Sequence, residues 1–318
     1  SVGQVGYILI GIALATPLGW NAALYHTVNH FIFKGLLFVA AAGIIYRVGT
    51  SYLPNMGGLI RRMPLTFLAV LMAIISLAGI PPLSGFAGKW LIYSALIEKQ
   101  WIFITVMVFL ASTLAFLYCF KILHTVFLGQ LQDENRNVKE VPLPVAVVEV
   151  ILLMGTAILG AFPRLILDPI NRVLAGIPGM ENPGFHYEKT LGVVSRLGHW
   201  NALFLMVFTM GSFILALGFF ALTSGRVRKV GQLDVGYSGE VPRSPEDLHF
   251  GYGLYEHFRK AVRWLIYPLV TKMWTGIYAW IEAVTEVARR IYTGSVNTYA
   301  SYVILISILI LYFFAGVK

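Results

Sequence analysis

Ser76-Leu77-Ala78-Gly79-Ile80-Pro81-Pro82-Leu83-Ser84-Gly85-Phe86-Ala87-Gly88-Lys89 interrupts an apolar run that extends from 63 to 98. The run is too long for one regular span, because a membrane-crossing helix needs about 20 mostly apolar residues. Gly79, Pro81, Pro82 and Gly85 remove backbone donors and loosen the helix. The stretch therefore predicts two half-helices with a break between them. Unpaired backbone at membrane depth is tolerated only where it is buried in protein or faces a wet cavity. Broken helices of this kind mark ion sites in transporters. Lys89 follows the break by one helical turn. Desolvation disfavours the charged form of a lysine, so a buried Lys89 can load and release a proton. The bland reading is a lysine that snorkels to the interface, which a mid-segment position disfavours.

On either side of this run lie six further apolar segments, roughly 4–18, 21–46, 101–128, 142–162, 199–224 and 297–316. The chain of 318 residues is 58% hydrophobic and only 12% charged, with a mean hydropathy of +0.74. Soluble domains carry about 25% charged residues, so this chain cannot cover itself with a water-compatible surface. A disulfide scaffold is excluded as well, since Cys119 is the only cysteine and lies in an apolar run. The net charge of +9 does not indicate nucleic acid, because no basic stretch is interleaved with stacking aromatics. Ser1 leads almost at once into an apolar segment, with no charged region or small-residue cleavage site. The expectation is that there is no signal peptide and that the sequence begins inside a longer or split fold.

If each segment crosses once, fifteen Lys and Arg residues fall on one side, among them Arg47, Arg61, Arg62, Arg136 and Lys139, and six on the other. The positive-inside rule makes the first side cytoplasmic and predicts a multi-pass protein of the plasma membrane. From 252 to 292, Leu254, Phe258, Val262, Leu265, Leu269, Met273, Ile277, Trp280, Val284, Val287 and Ile291 recur every three or four residues among charged ones. A continuous helix there would be about 60 Å long, with Pro268 a potential kink. Such an apolar stripe lies along a membrane surface or flanks neighbouring subunits, here on the cytoplasmic side.

The fold expected is an all-α integral membrane protein. It has a bundle of about seven transmembrane helices, one of them broken, with a long amphipathic lateral helix and a C-terminal anchor helix. The bundle occupies 1–225, and 226–318 holds a cytoplasmic loop, the lateral helix and the anchor at about 297–316. No internal repeat or low-complexity tract is evident, and Gln130 to Glu140 reads as a polar loop.

Candidate chemistry centres on the second segment. His26, His30 and Lys34 are spaced by four, which puts them on one helical stripe. Three readings are open: a proton relay, a hydrogen-bonded structural pair, or a metal or haem site using His26 and His30. Ionisable residues inside a membrane usually mark an ion pathway, and an unperturbed histidine titrates near neutrality. No Glu or Cys partner stands at a suitable spacing for a metal, and Lys34 would repel a cation. Lys121 and His124 sit late in the fourth segment, where snorkelling and proton passage explain them equally well. Glu149 lies inside the fifth span, where a carboxyl group is neutral unless paired, a lysine being one such partner. Glu98 and Lys99 read as an interfacial helix end. Asp133, Glu134, Glu140 and Asp168 read as loop charges without a constellation. There is no nucleotide loop, nucleophile triad or cysteine cluster, so no cofactor and no redox chemistry are expected in this chain.

Two motifs carry a family resemblance. Ser1-Val2-Gly3-Gln4-Val5-Gly6-Tyr7 with His26-Thr27-Val28-Asn29-His30-Phe31-Ile32-Phe33-Lys34-Gly35-Leu36-Leu37-Phe38 resembles the antiporter-like subunits of respiratory complex I and Mrp cation/proton antiporters. Met56-Gly57-Gly58-Leu59 followed by Ser76 through Lys89 is similar to the same family's broken helix and its lysine. The resemblance covers residues 1 to about 130. It implies a hydrated mid-membrane axis in which Lys34 is a central lysine, His26 and His30 are relay members, and Lys89 is the terminal lysine of the outward half-channel. Lys121, His124 and Glu149 match no motif of the family. Gly231-Gln232-Leu233-Asp234-Val235-Gly236-Tyr237 and Ile291-Tyr292-Thr293-Gly294-Ser295-Val296-Asn297-Thr298-Tyr299 look more loosely like the tails of energy-converting hydrogenase subunits and their sulfur-reducing relatives. The 252–292 helix resembles a shorter form of the lateral helix of the distal complex I subunit.

The family has two inverted five-helix repeats, and this sequence carries only most of the second. The resemblance thus implies a partner chain or segment that supplies the first repeat, without which a complete transmembrane proton path could not form. It also implies other membrane-arm subunits, peripheral iron–sulfur subunits, lipid, and H⁺ or Na⁺ as the transported ion. The function expected is ion translocation in an energy-converting respiratory complex, coupled to redox chemistry in other subunits. The rivals are a stand-alone antiporter subunit of the Mrp type, a structural membrane subunit that no longer transports, and a membrane redox subunit that binds haem.

Overall fold

The computed structural model describes residues 1–187, 192–223, 249–263, 269–291 and 294–315. They fall into two compact units, Ser1–Tyr252 and Gly253–Lys318.

The first unit is a helical bundle around α2 (Pro17–Val48), which packs on α1 (Val2–Ala13), α3 (Pro64–Ala78), α4 (Ser84–Glu98) and α6 (Leu143–Ala161). Each start has a local cause. Thr16 accepts from the Gly19 amide and Pro17 occupies the first turn of α2, which ends at Gly49 in the left-handed conformation. Pro64 opens α3 in the same way. The α1–α2 contact is made by small residues: a Cβ on Gly11 would lie 2.9 Å from Ala23 Cβ, and one on Gly19 would lie 2.6 Å from the Gly11 carbonyl oxygen. Close backbone approach of this kind is how membrane helices associate without a hydrophobic drive. The expected first segment, 4–18, is shorter than read, because the helix stops at Ala13 before the cap of α2.

α5 (Ile102–Phe127) lies against α3 and α4, and α8 (Ala202–Thr223) against α6. Among the described residues five helices are long and apolar enough to cross a membrane: α2, α5, α6, α8 and α11 (Val296–Ala315). α3 and α4 each have 15 residues, about 22 Å of helix against a hydrocarbon core of about 30 Å. A crossing by this segment therefore needs both halves. The chain is an all-α membrane protein, as its composition requires.

Between α6 and α8 the structure adds two elements where the sequence suggests only a long loop. α7 (Arg164–Leu174) is an amphipathic helix with Leu167 and Leu174 buried. It is followed by an antiparallel sheet of β1 (Phe185–Tyr187), β2 (Gly192–Ser195) and β3 (Gly198–Asn201), in the order β1-β2-β3. Val193 pairs with Trp200 in the register of β2 and β3. Trp200 is buried and meets Phe86 and Trp90 of α4 edge-on, at 5.8 and 6.1 Å between ring centres. The sheet thus braces the N-terminal turn of α4.

In the second unit, α9 (Glu256–Ala261) is short and α10 (Leu269–Ile291) has 23 residues. Within the stretch expected to form the lateral helix, 252–292, the described residues form these two helices. Tyr252 to Tyr255 turn around Gly253, whose φ of +68° is left-handed, and α9 ends at Val262. The expected kink at Pro268 lies outside the described residues, as do the resemblance at 231–237 and most of the 226–251 loop. α10 is amphipathic as expected, with Met273, Ile277, Trp280, Val284 and Val287 exposed. α11 begins close to the expected anchor.

Candidate ion-translocation site

The break between α3 and α4 is built from backbone accounting. The last carbonyls of a helix have no partner within it. After α3, Gly79 turns left-handed at φ +75°, its N–H donates to the Ser76 carbonyl at 3.0 Å, and the Ile80 N–H donates to the Ile75 carbonyl at 3.1 Å. That pair of bonds is a Schellman closure. The Leu77 and Ala78 carbonyls are left facing inward. The Pro81–Pro82 peptide is cis, and a Cβ on Gly160 of α6 would lie 2.5 Å from the Pro82 carbonyl oxygen.

Lys89 fills this gap. One helical turn into α4, it is 1% exposed, and its Nζ donates to the Leu77 and Ala78 carbonyls at 2.8 and 3.2 Å. It also donates to Ser112 Oγ of α5 at 2.7 Å, and Ser112 donates in turn to the Ala78 carbonyl at 2.6 Å. On its remaining side the ammonium lies 4.7 Å from the centre of the Tyr7 ring, whose hydroxyl donates to the Val108 carbonyl at 2.7 Å. Lys89 is therefore held by dipoles and a ring face. Among the described residues no carboxylate forms an ion pair with it. Its burial excludes snorkelling. A cavity of about 390 Å³, lined by Lys89, Gly79, Phe86, Tyr93 and Ser112, reaches it from the side.

His26 stands on the other side of Tyr7, with ring centres 5.6 Å apart. It is wholly buried, its Nε2 is 3.0 Å from Oε1 of the buried Gln4, and its Nδ1 has no hydrogen-bond partner. Gly88, next to Lys89, makes room for it, because a Cβ there would lie 3.1 Å from His26 Nδ1. Asn29 donates to the Ser84 carbonyl at 3.0 Å and ties α2 to the start of α4.

His30 and Lys34 continue along α2 but face different surroundings. His30 packs edge-on against Phe33 at 5.4 Å, and its Nε2 has no partner. Lys34 is half-buried, lies over the Phe38 ring at 4.8 Å, and lines a cavity of about 250 Å³ with Ile74, Leu77 and Tyr118. Lys89 and His26 are thus brought together through Tyr7, while Lys34 opens on a separate cavity. Among the described residues no group of three or more His, Cys, Asp or Glu could hold a metal ion.

The other candidates lie apart. Lys121 is exposed near the end of α5, and His124 stacks on Phe250 at 4.5 Å with its Nδ1 unpartnered. Glu149 is wholly buried, and among the described residues no lysine forms an ion pair with it. Its contacts run instead to Thr66 Oγ1, at 3.4 and 3.3 Å from its two oxygens. Glu140, expected to be a plain loop charge, accepts from Thr66 Oγ1 at 2.7 Å and from the Leu65 amide at 2.8 Å. Gln4, Tyr7, Asn29 and Ser112 also belong to the site, and sequence reasoning does not single them out. Gln4 and Tyr7 stand in a recognisable motif, whereas Ser112 is one small polar residue in an apolar helix and carries no signal of its own.

A helix broken in mid-segment, a lysine sealed against the break and a neighbouring helix that carries two histidines and a second lysine make up the candidate site. Residues 1–115 match the family described as "NADH:quinone oxidoreductase/Mrp antiporter, TM". The chain is 33% identical over 183 residues to NADH-quinone oxidoreductase subunit N of Desulforudis audaxviator, covering 54% of this chain and 36% of that protein. It is 36% identical over 157 residues to a subunit of the Na(+)/H(+) antiporter of Alkalihalophilus pseudofirmus, covering 46% and 20%. Among solved structures it is similar to a chain of the membrane-bound sulfane sulfur reductase, an archaeal respiratory membrane complex. That match has 34% identity and a TM-score of 0.73, over 97% of this chain and 50% of the other. The chain therefore spans half or less of the length of these relatives.

Proposed function

We propose that this chain is a membrane-arm subunit of an energy-converting respiratory complex, in which Lys89, His26, His30 and Lys34 form the path for H⁺ or for Na⁺/H⁺ exchange. The observation that carries this reading is the seat of Lys89 on the inward carbonyls of a broken helix. Among the described residues its charge is met by dipoles and the Tyr7 ring and not by a carboxylate, so a small change in nearby charge or geometry moves its proton. Coupling to redox chemistry would come through other subunits. The likeness to the sulfur reductase chain runs through the C-terminal third and supports a respiratory complex over a stand-alone antiporter. In this reading the 49–63 and 129–141 loops face the cytoplasm, as does the amphipathic α10.

The test is ion uptake by the whole complex in sealed vesicles, with Lys89→Ala and Lys34→Ala compared with native protein. Uptake should fall about tenfold or more while the complex stays assembled and electron transfer continues. Unchanged uptake in both variants would make the chain a structural brace.

A further inference from the structure

The buried carboxyl of Glu149 is used by nothing described so far, and its surroundings are unusual. It is wholly buried on α6 beside Gly43 of α2, where a Cβ would lie 3.7 Å from Glu149 Oε1. Its partner is the hydroxyl of Thr66, also wholly buried, on the first turn of α3. That hydroxyl has one hydrogen and spends it on Glu140 at 2.7 Å. It can therefore offer Glu149 only lone pairs. Among the described residues no ion pair reaches either carboxyl group. A bare carboxylate at Glu149 would be a buried charge facing lone pairs, an arrangement that costs several kcal/mol. A proton on one Glu149 oxygen, donated to Thr66 Oγ1, removes the charge and turns that contact into a hydrogen bond.

Glu140 stands at the other end, half-buried in the loop. It is fixed by the Leu65 and Val141 amides at 2.8 and 3.0 Å. The loop that carries it is locked to the 49–63 loop, with Gln132 donating to the Pro54 carbonyl at 2.6 Å and Asn135 to the Asn55 carbonyl at 2.9 Å. A partly solvated acid, a hydroxyl and a buried acid thus stand in line.

We propose that Glu140, Thr66 and Glu149 form a proton-entry relay from the loop face of the bundle to a buried acid on α6. The proposal rests on the reading of this chain as an ion-translocating subunit. In the forward step protonated Glu140 gives its O–H hydrogen to Thr66 Oγ1 as Thr66 passes its own hydrogen to a deprotonated Glu149. One O–H bond breaks and one forms at each transfer, the threonine stays neutral, and the charge moves from Glu149 to Glu140. Once Glu149 releases that proton into the bundle, rotation of the hydroxyl resets the chain, and hydronium on the loop face reprotonates Glu140. Gly43, beside Glu149, lies about 13 Å of helix rise from Lys34, so the relay delivers protons to the loop-side end of the helix that carries the lysine.

The test measures proton uptake by the assembled complex in sealed vesicles for Thr66→Val, Thr66→Ser, Glu149→Gln and Lys89→Ala. The infrared C=O stretch of protonated carboxylic acid is recorded on the same samples. Thr66→Val and Glu149→Gln should lower uptake about tenfold or more, and Thr66→Ser should stay within about twofold of native. A protonated-carboxyl band should vanish in Glu149→Gln and shift in Thr66→Val. A merely structural Thr66 would leave the band unshifted in the valine variant. Native uptake in Thr66→Val or Glu149→Gln, with uptake lost in Lys89→Ala, overturns the relay and leaves the translocation reading standing. Native uptake in Lys89→Ala as well overturns both.

Discussion

Lys89 reaches its partners because two glycines let the backbone fold around it. A Cβ on Gly79 would lie 2.5 Å from Lys89 Cδ, and one on Gly85 would collide with the Ser76 carbonyl. Gly85→Ala therefore cannot be absorbed by a side-chain shift, and it should cost more than about 3 kcal/mol. The check is the amount of protein that accumulates in the membrane, which should fall sharply. Ser112→Ala removes the hydroxyl that bonds both Lys89 and the Ala78 carbonyl. A hydrogen bond to a charged group contributes about 1.5–3 kcal/mol, so the purified complex should unfold at a lower temperature and move fewer ions, while still assembling. Lys89 itself is legible in the sequence, because a lysine in mid-segment is costly unless it faces a break that offers it partners. Ser112 is not, since nothing in the sequence says that α5 brings it to the break.

At the scale of elements, α1 matters as much as the broken helix. It carries Gln4 to His26 and Tyr7 to both His26 and Lys89, and it is held against α2 by Gly11, Gly19 and Ala23. Gly19→Leu would force α1 away from α2. Ion uptake should then fall about tenfold or more, even though the change touches neither Lys89 nor His26. Uptake at the native level in an assembled Gly19→Leu complex would show that α1 plays no part in the path. Helix breaks and starts can be read locally from Gly79, Pro81, Pro64 and Pro17. The β1–β3 sheet cannot, because its buried Val193 and Trp200 sit in a stretch whose polarity reads as loop. The lateral helix begins later than its periodicity suggests. Periodicity starts at Leu254, but Gly253 provides a left-handed turn, so that α9 starts only at Glu256.

For the whole molecule, low charge and high hydropathy settle the membrane class, and the helices of the first unit follow the apolar segments closely. Side-to-side orientation rests on the excess of Lys and Arg in alternate loops. Lys139→Cys, in a background with Cys119→Ser, should be labelled by an impermeant thiol reagent from the cytoplasmic side of inverted vesicles and not from intact cells. What the sequence does not reveal is which buried polar groups meet, because contacts such as Lys89 with Leu77 and Ser112, or Thr66 with Glu140 and Glu149, depend on helix packing.

The most direct test of the central claim is the ratio of ions moved to electrons transferred by the complex in sealed vesicles, native against Lys89→Gln. That variant keeps most of the length of the side chain and some hydrogen bonding to the Leu77 and Ala78 carbonyls, but cannot load a proton. If Lys89 lies on the ion path, the ratio falls while electron transfer and assembly persist. An unchanged ratio in the assembled variant would contradict the account.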